Sequence, residues 1–186
     1  MPSVHVTVTR QVTGKVNICP FSHARGLQFY TVNGIRTEQP VLYKVPAYSV
    51  SVAGGSDYDA VRFGLQYVAG DRPPARTRHC DAGISHSHVC TPHWNPTYSP
   101  HSFDRINRMG AWRLFPGKTF YIHEGPVRIR GYGGSLGCIE ILDGYWNDFL
   151  AEIERIGKNT CHYIAKSGGL KVTIESAHVP VAELVE

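Results

Sequence analysis

Phe120-Tyr121-Ile122-His123-Glu124-Gly125, followed after a loop by Gly134-Ser135-Leu136-Gly137-Cys138-Ile139-Glu140-Ile141, decides how the rest of this sequence is read. The first piece reads as a strand that ends on a histidine. The second reads as a glycine-rich turn with a cysteine entering another strand. Two neighbouring strands joined this way can set His123 beside Cys138. A thiol with an ordinary pKa of about 8.5 is mostly protonated at neutral pH, and an adjacent imidazole can take its proton. Gly137 permits a sharp turn, so backbone amides around Cys138 can face a developing oxyanion. The structural alternative is a small core cysteine and a satisfied polar histidine.

Outward from this segment, the first half of the chain reads as strands. Val4, Val6 and Val8 alternate with His5, Thr7 and Thr9, the period of a half-buried strand. Runs over 27–32 and 39–52 look similar, with Asn33-Gly34 as a turn after the first. Pro40 and Pro46 predict that the longer run is an edge strand or is bent. A further strand is expected over 61–68. Across 71–102 the pattern dissolves into prolines, five histidines and two cysteines, a long loop of the kind that carries function. Strands return near Trp112, over 118–123, over 138–142 and over 170–174. One amphipathic helix is predicted after the Cys motif, with Trp146, Phe149, Leu150, Ile153 and Ile156 on one face, Asp143 as N-cap and Gly157 as its stop. No repeat or linker divides the chain. The expectation is a mainly β, α+β single domain over 1–186.

The composition excludes several classes. Of 186 residues, 42% are hydrophobic and 18% charged, which is too apolar for a disordered chain. No apolar run reaches the ~18 residues of a membrane span. The net charge of +4 comes without any basic run interleaved with aromatics, so no nucleic-acid partner is expected. The alternating start, MPSVHVTVTRQ, lacks the apolar stretch of a signal peptide. Five cysteines leave at least one thiol unpaired in a monomer.

The segment 110–157 resembles the L,D-transpeptidase (YkuD-type) catalytic family. That family's signature joins a His, a nearby Gly and then Ser/Thr-x-Gly-Cys with an apolar residue after it. Here these are His123, Gly125 and Ser135-Leu136-Gly137-Cys138-Ile139, with Cys138 fifteen residues after His123. The lead-in from Trp112 to His123 and the helix after Gly144 also match in place. The resemblance implies the family's α+β catalytic fold and a cysteine enzyme that attacks peptidoglycan stem peptides through a thioester. Cys138 is then the nucleophile and His123 the base, with Ser135 and Gly137 shaping the turn and oxyanion site. Tyr121, Gly125, Arg128, Arg130 and Tyr132 are candidates for holding the stem, since guanidinium groups recognise carboxylates well. No cofactor is implied. The chain departs from the family at Leu136, commonly His, and at Glu140, commonly Arg. These departures resemble small proteins delivered between competing bacteria. With a substrate outside the membrane and no signal peptide in view, the resemblance implies an antibacterial effector made in the cytoplasm and acting in a target's periplasm or envelope, with a secretion-system carrier and an immunity protein as partners. A domain cut from a longer exported protein would read the same.

Two other readings compete. His79, Cys80, Asp81, His86, His88, Cys90 and His93 form a second cluster, of which His86, His88, Cys90 and His93 are the zinc-ligand candidates. Cys80 and Cys90 can instead pair as a disulfide, or the loop can be a lid facing substrate. The other reading is a non-catalytic peptidoglycan-binding module in which Leu136 and Glu140 mark lost activity.

Overall fold

The computed structural model describes residues 2–18, 31–32, 35–36, 42–67, 77–80, 84–98, 110–125 and 138–185. In chain order the elements begin with β1 (Val4–Ile18), β2 (Thr31–Val32), β3 (Ile35–Arg36), β4 (Tyr43–Val52), β5 (Asp57–Val61), β6 (Gly64–Tyr67) and β7 (Thr77–Cys80). They continue with β8 (His88–Cys90), β9 (His93–Asn95), β10 (Ala111–Arg113), β11 (Tyr121–Glu124), β12 (Ile139–Ile141), α1 (Trp146–Gly157), α2 (Cys161–Lys166), β13 (Leu170–Ile174) and β14 (Glu183–Leu184). The chain is therefore mainly β with two helices, in line with the expected class.

One mixed sheet dominates, in the order β8-β13-β1-β4-β5-β12-β11-β10-β9, with β14 added to β4. β1 with β13 and β11 with β12 run parallel; the other pairs of this sheet are antiparallel. Its two edges, β8 and β9, are joined by only Thr91 and Pro92, so the sheet must curl to bring them together. The His88 ring lies 5.3 Å from Phe115, just beyond β10, across that closure.

β1 shows how one strand serves two cores. Val4, Val6 and Val8 bury into a cluster with Val50, Val52, Ile122, Trp146, Phe149 and Ile153. Val16 and Ile18 bury into another, with Tyr43, Val45, Ala47 and Leu142. Between them the register with β4 shifts twice, from Val8↔Val50 to Val12↔Tyr48 to Gly14↔Ala47. Six residues of β1 thus oppose three of β4. That odd difference turns the later valine and isoleucine onto the opposite face of the sheet. β4 is accordingly buried on both faces over residues 47–50.

Several expectations are corrected. Of the two expectations for β4, the edge strand is overturned, since β4 lies inside the sheet between β1 and β5, whereas its register with β1 is irregular. Pro46 is tolerated because β5 pairs only with 48–51 and β14 only with 43–44, leaving β4 without a partner strand on that side at residue 46 among the described residues. The region 71–102 holds β7, β8 and β9, strands too short for alternation to register. The strand expected over 61–68 is two strands, broken at Arg62 and Phe63. Asp143 is not the N-cap of α1: it has φ 59° and, with Gly144 at φ 80°, reverses the chain before the helix. Tyr145 occupies the cap without a side-chain bond. Gly157 lies inside the last turn, and Lys158, at φ 52°, closes it. A Cβ on Gly157 would meet Ile164 Cδ1 at 2.5 Å, so this glycine serves helix packing. The second helix, α2, lies beyond the single helix expected.

Arg62 is fully buried where β5 ends. Its Nη1 donates to the Thr9 carbonyl at 3.0 Å, and its Nη2 to the carbonyls of Ile84 and Glu175. One guanidinium thereby ties together β1, the lead-in to β8 and the exit from β13. Arg62→Met would leave those three acceptors without this donor. The expected loss is about 2–4 kcal/mol, taking about 1–3 kcal/mol per orphaned buried group and partial rescue by water. Urea unfolding checks it; an unchanged midpoint would show that the arginine is not an anchor.

Candidate active site

β11 and β12 pair in parallel as Ile122↔Ile139, His123↔Glu140 and Glu124↔Ile141. Ile122, Ile139 and Ile141 face the apolar core. Alternation then turns Tyr121 and His123 of β11 to the other face, together with Glu140 and Cys138, which lies just before β12. The pairing extends to Gly125, whose N–H donates to the Ile141 carbonyl at 2.7 Å. A Cβ on Gly125 would stand 2.7 Å from Glu140 Cβ and 2.9 Å from the Ile141 carbonyl oxygen. Gly125 is buried, and its bare backbone lets the two strands meet at this level.

His123 is 4% exposed. Its Nδ1 lies 2.6 Å from the Glu124 carbonyl oxygen. A carbonyl can only accept, so this contact assigns the proton to Nδ1 and leaves the lone pair on Nε2. Nε2 is turned towards β12, with Glu140 Oε1 at 3.9 Å, too far for a hydrogen bond. A backbone carbonyl therefore orients the ring, which is the part a carboxylate or amide side chain plays in other nucleophile–base sets.

Cys138 is 7% exposed, and its S–H donates to the Thr119 carbonyl at 3.8 Å. Tyr98, just after β9, closes over the group. Its ring centroid is 4.4 Å from that of Tyr121 and 5.2 Å from that of His123. Burial first, then the neighbouring acidic groups of Cys138, Glu140 and Tyr121, hold the Tyr98 hydroxyl protonated far above its usual range. Tyr98, Tyr121, His123, Cys138 and Glu140 thus form one cluster drawn from β11, β12 with the residue before it, and the turn after β9. A thiol, an imidazole and a phenol brought to one face are groups that acyl-transfer chemistry can use.

Two members of the cluster went unassigned in the sequence reading. Glu140 figured there only as a departure from the family pattern, although its place two residues after Cys138 already put it on the cysteine's face. Its carboxyl is buried and Oε2 has no hydrogen-bond partner among the described residues. Tyr98 carries no local signal, since its partners lie more than twenty residues away in sequence. Arg128, Arg130, Tyr132, Ser135 and Gly137 lie outside the described residues.

Of the second cluster, Asp81 and the side chains of His79 and Cys80 lie outside the described part of the structure. Among the described residues no three His, Cys, Asp or Glu side chains are placed to hold a metal ion. His86 and His93 are exposed, whereas the His88 ring rests on Phe115. Cys90 is a free thiol rather than half of a disulfide, and burial pushes its pKa up to about 11. Burial likewise raises the Cys161 thiol, at the start of α2, far above the ordinary value. No family model, curated protein or solved structure matches the chain.

Two outcomes follow from this geometry. Gly125→Ala forces β11 and β12 apart and should cost about 1–3 kcal/mol, the range for an overpacked site. It should also abolish any chemistry that depends on His123 meeting Cys138; a normal melting temperature with full activity would contradict the close approach. Burial raises the Glu140 carboxyl from 4.5 to about 8. The folded chain then keeps a proton that the unfolded chain loses, so stability falls as pH rises from about 4.5 to about 8. Relative to wild type, Glu140→Gln should melt at a higher temperature at pH 8 than at pH 5. An equal difference at both would mean the carboxyl ionises normally.

Proposed function

We propose that this protein is a cysteine-dependent acyl-transfer enzyme acting on peptidoglycan stem peptides, as an L,D-carboxypeptidase, an L,D-transpeptidase or a D-amino acid exchanger. The observation that carries the chemistry is the placement of Cys138 and His123 on one face of the β11–β12 pair, with the imidazole oriented by the Glu124 carbonyl. The substrate class follows from the resemblance of 110–157 to the L,D-transpeptidase catalytic family.

His123 Nε2 takes the Cys138 proton as the sulfur attacks the carbonyl of the stem's third, diamino acid residue. The tetrahedral intermediate collapses as D-alanine leaves with the proton from His123, and a thioester remains on Cys138. Water resolves it to a shortened stem; an amine resolves it to a crosslink or an exchanged D-amino acid. Trimming or capping donor stems starves crosslinking, which fits an antibacterial effector carried into a rival's periplasm and countered in its producer by an immunity protein.

Mass spectrometry of muropeptides incubated with wild type, Cys138→Ala and His123→Ala tests the reading. Wild type should shorten tetrapeptide stems or replace their last residue. Cys138→Ala should be inactive, and His123→Ala slower by about 10²–10⁴-fold, the usual contribution of a general base. Stems left unchanged by wild type would overturn the proposal.

A further inference from the structure

Tyr98 is held in place more firmly than a loop tyrosine needs to be. The Asn95 side chain at the end of β9 accepts from the Thr97 N–H at 3.2 Å and its hydroxyl at 3.1 Å, forming a tight Asx turn. The Tyr98 carbonyl accepts from the Gly110 N–H at 2.8 Å, tying the turn to the start of β10. Gly110 has φ 110°, and a Cβ there would strike the Trp94 ring at 2.5 Å, so only glycine permits this tie. Trp94 in turn packs on Trp112 of β10 at 5.1 Å. These restraints fix the start of a side chain whose ring covers Tyr121 and His123, and the β11–β12 register sets Tyr121 level with Cys138.

We propose that Tyr98 is a catalytic residue whose hydroxyl donates to Cys138 Sγ and stabilises the thiolate that attacks substrate. A buried thiolate has lost its water and is costly unless protein donors replace it. A phenol is suited to this: it gives one directed O–H and carries no charge, and its ring shields the imidazole from solvent. The bond strengthens when the sulfur becomes negative, since hydrogen bonds to ionised acceptors are roughly twice as strong as neutral ones. The segment that the sequence marks only as a long polar loop thus supplies the nucleophile's donor. The proposal rests on Cys138 being the reactive thiol, but its test needs no peptidoglycan.

Tyr98→Phe keeps the ring and its packing and removes only the donor. The readout is the rate of Cys138 alkylation by iodoacetamide across pH 5 to 10, assigned by peptide mapping, with Cys90 and Cys161 as internal references for buried thiols. In Tyr98→Phe the apparent pKa of Cys138 alkylation should rise by about one unit, with a tenfold or greater slowing at pH 7, as expected for losing a hydrogen bond to a charged group. The profiles of Cys90 and Cys161 should not move, which separates loss of the donor from loosening of the fold. An unchanged Cys138 profile in Tyr98→Phe overturns the role of Tyr98 while leaving stem processing to be judged by its own assay. If wild-type Cys138 reacts no faster than Cys90 at neutral pH, the thiol is not activated and the proposal falls.

Discussion

The close parallel approach of β11 and β12 at Gly125 is the constraint on which the rest of this site depends. Parallel neighbours in register present like-numbered positions to the same side, so pairing His123 with Glu140 also sets Cys138 level with Tyr121. A side chain at position 125 would collide with Glu140 Cβ and the Ile141 carbonyl, and the register would be lost at its lower end. The apolar half of the same pairing, Ile122 with Ile139 and Ile141, anchors it in the main core under α1. Polar chemistry on one face is thus held in position by hydrophobic burial on the other.

Burial gives the cluster its electrostatic character. His123 and Glu140 are each 4% exposed, so charge on either is stabilised by a few directed groups rather than by bulk water. The ring nitrogen that water would otherwise bind is taken by the Glu124 carbonyl, which fixes the tautomer. The Glu140 carboxyl, with its pKa raised by desolvation, stands beside the imidazole largely neutral below pH 8. Cys90 shows what burial alone does to a thiol in this protein, and at Cys161 the Glu154 carboxylate adds to burial: both are pushed up, away from the reactive thiolate. Cys138 differs in having Tyr98 and His123 around it.

Much of the fold was legible because long alternating runs and a strongly amphipathic helix carry their own signal. Val4, Val6 and Val8 announced β1, and Trp146, Phe149 and Ile153 announced the buried face of α1. Boundaries and short elements were not, for physical reasons that can be named. Pro46 looked like an edge marker because a sequence cannot show that β5 and β14 leave a gap beside it. Asp143 and Gly157 matched helix-end chemistry, yet one turned out to reverse the chain and the other to admit Ile164. Strands of three residues, such as β8 and β9, are shorter than the period needed to detect them. In the site, His123 and Cys138 were legible as a pair. Glu140 was visible but without a role, and Tyr98 was hidden because only the pairing of β9 with β10 and of β10 with β11 brings it near.

The central claim is that acyl transfer runs through a covalent bond to Cys138, and trapping that bond tests it most directly. A stem tetrapeptide mixed with the protein and quenched in acid within one turnover would be analysed by intact mass and peptide mapping. The account predicts an adduct equal to the stem less its terminal D-alanine, with the thiol hydrogen replaced, located on Cys138 and absent from Cys138→Ala. Shortened stems with no adduct at any time point, or an adduct on another residue, would contradict it.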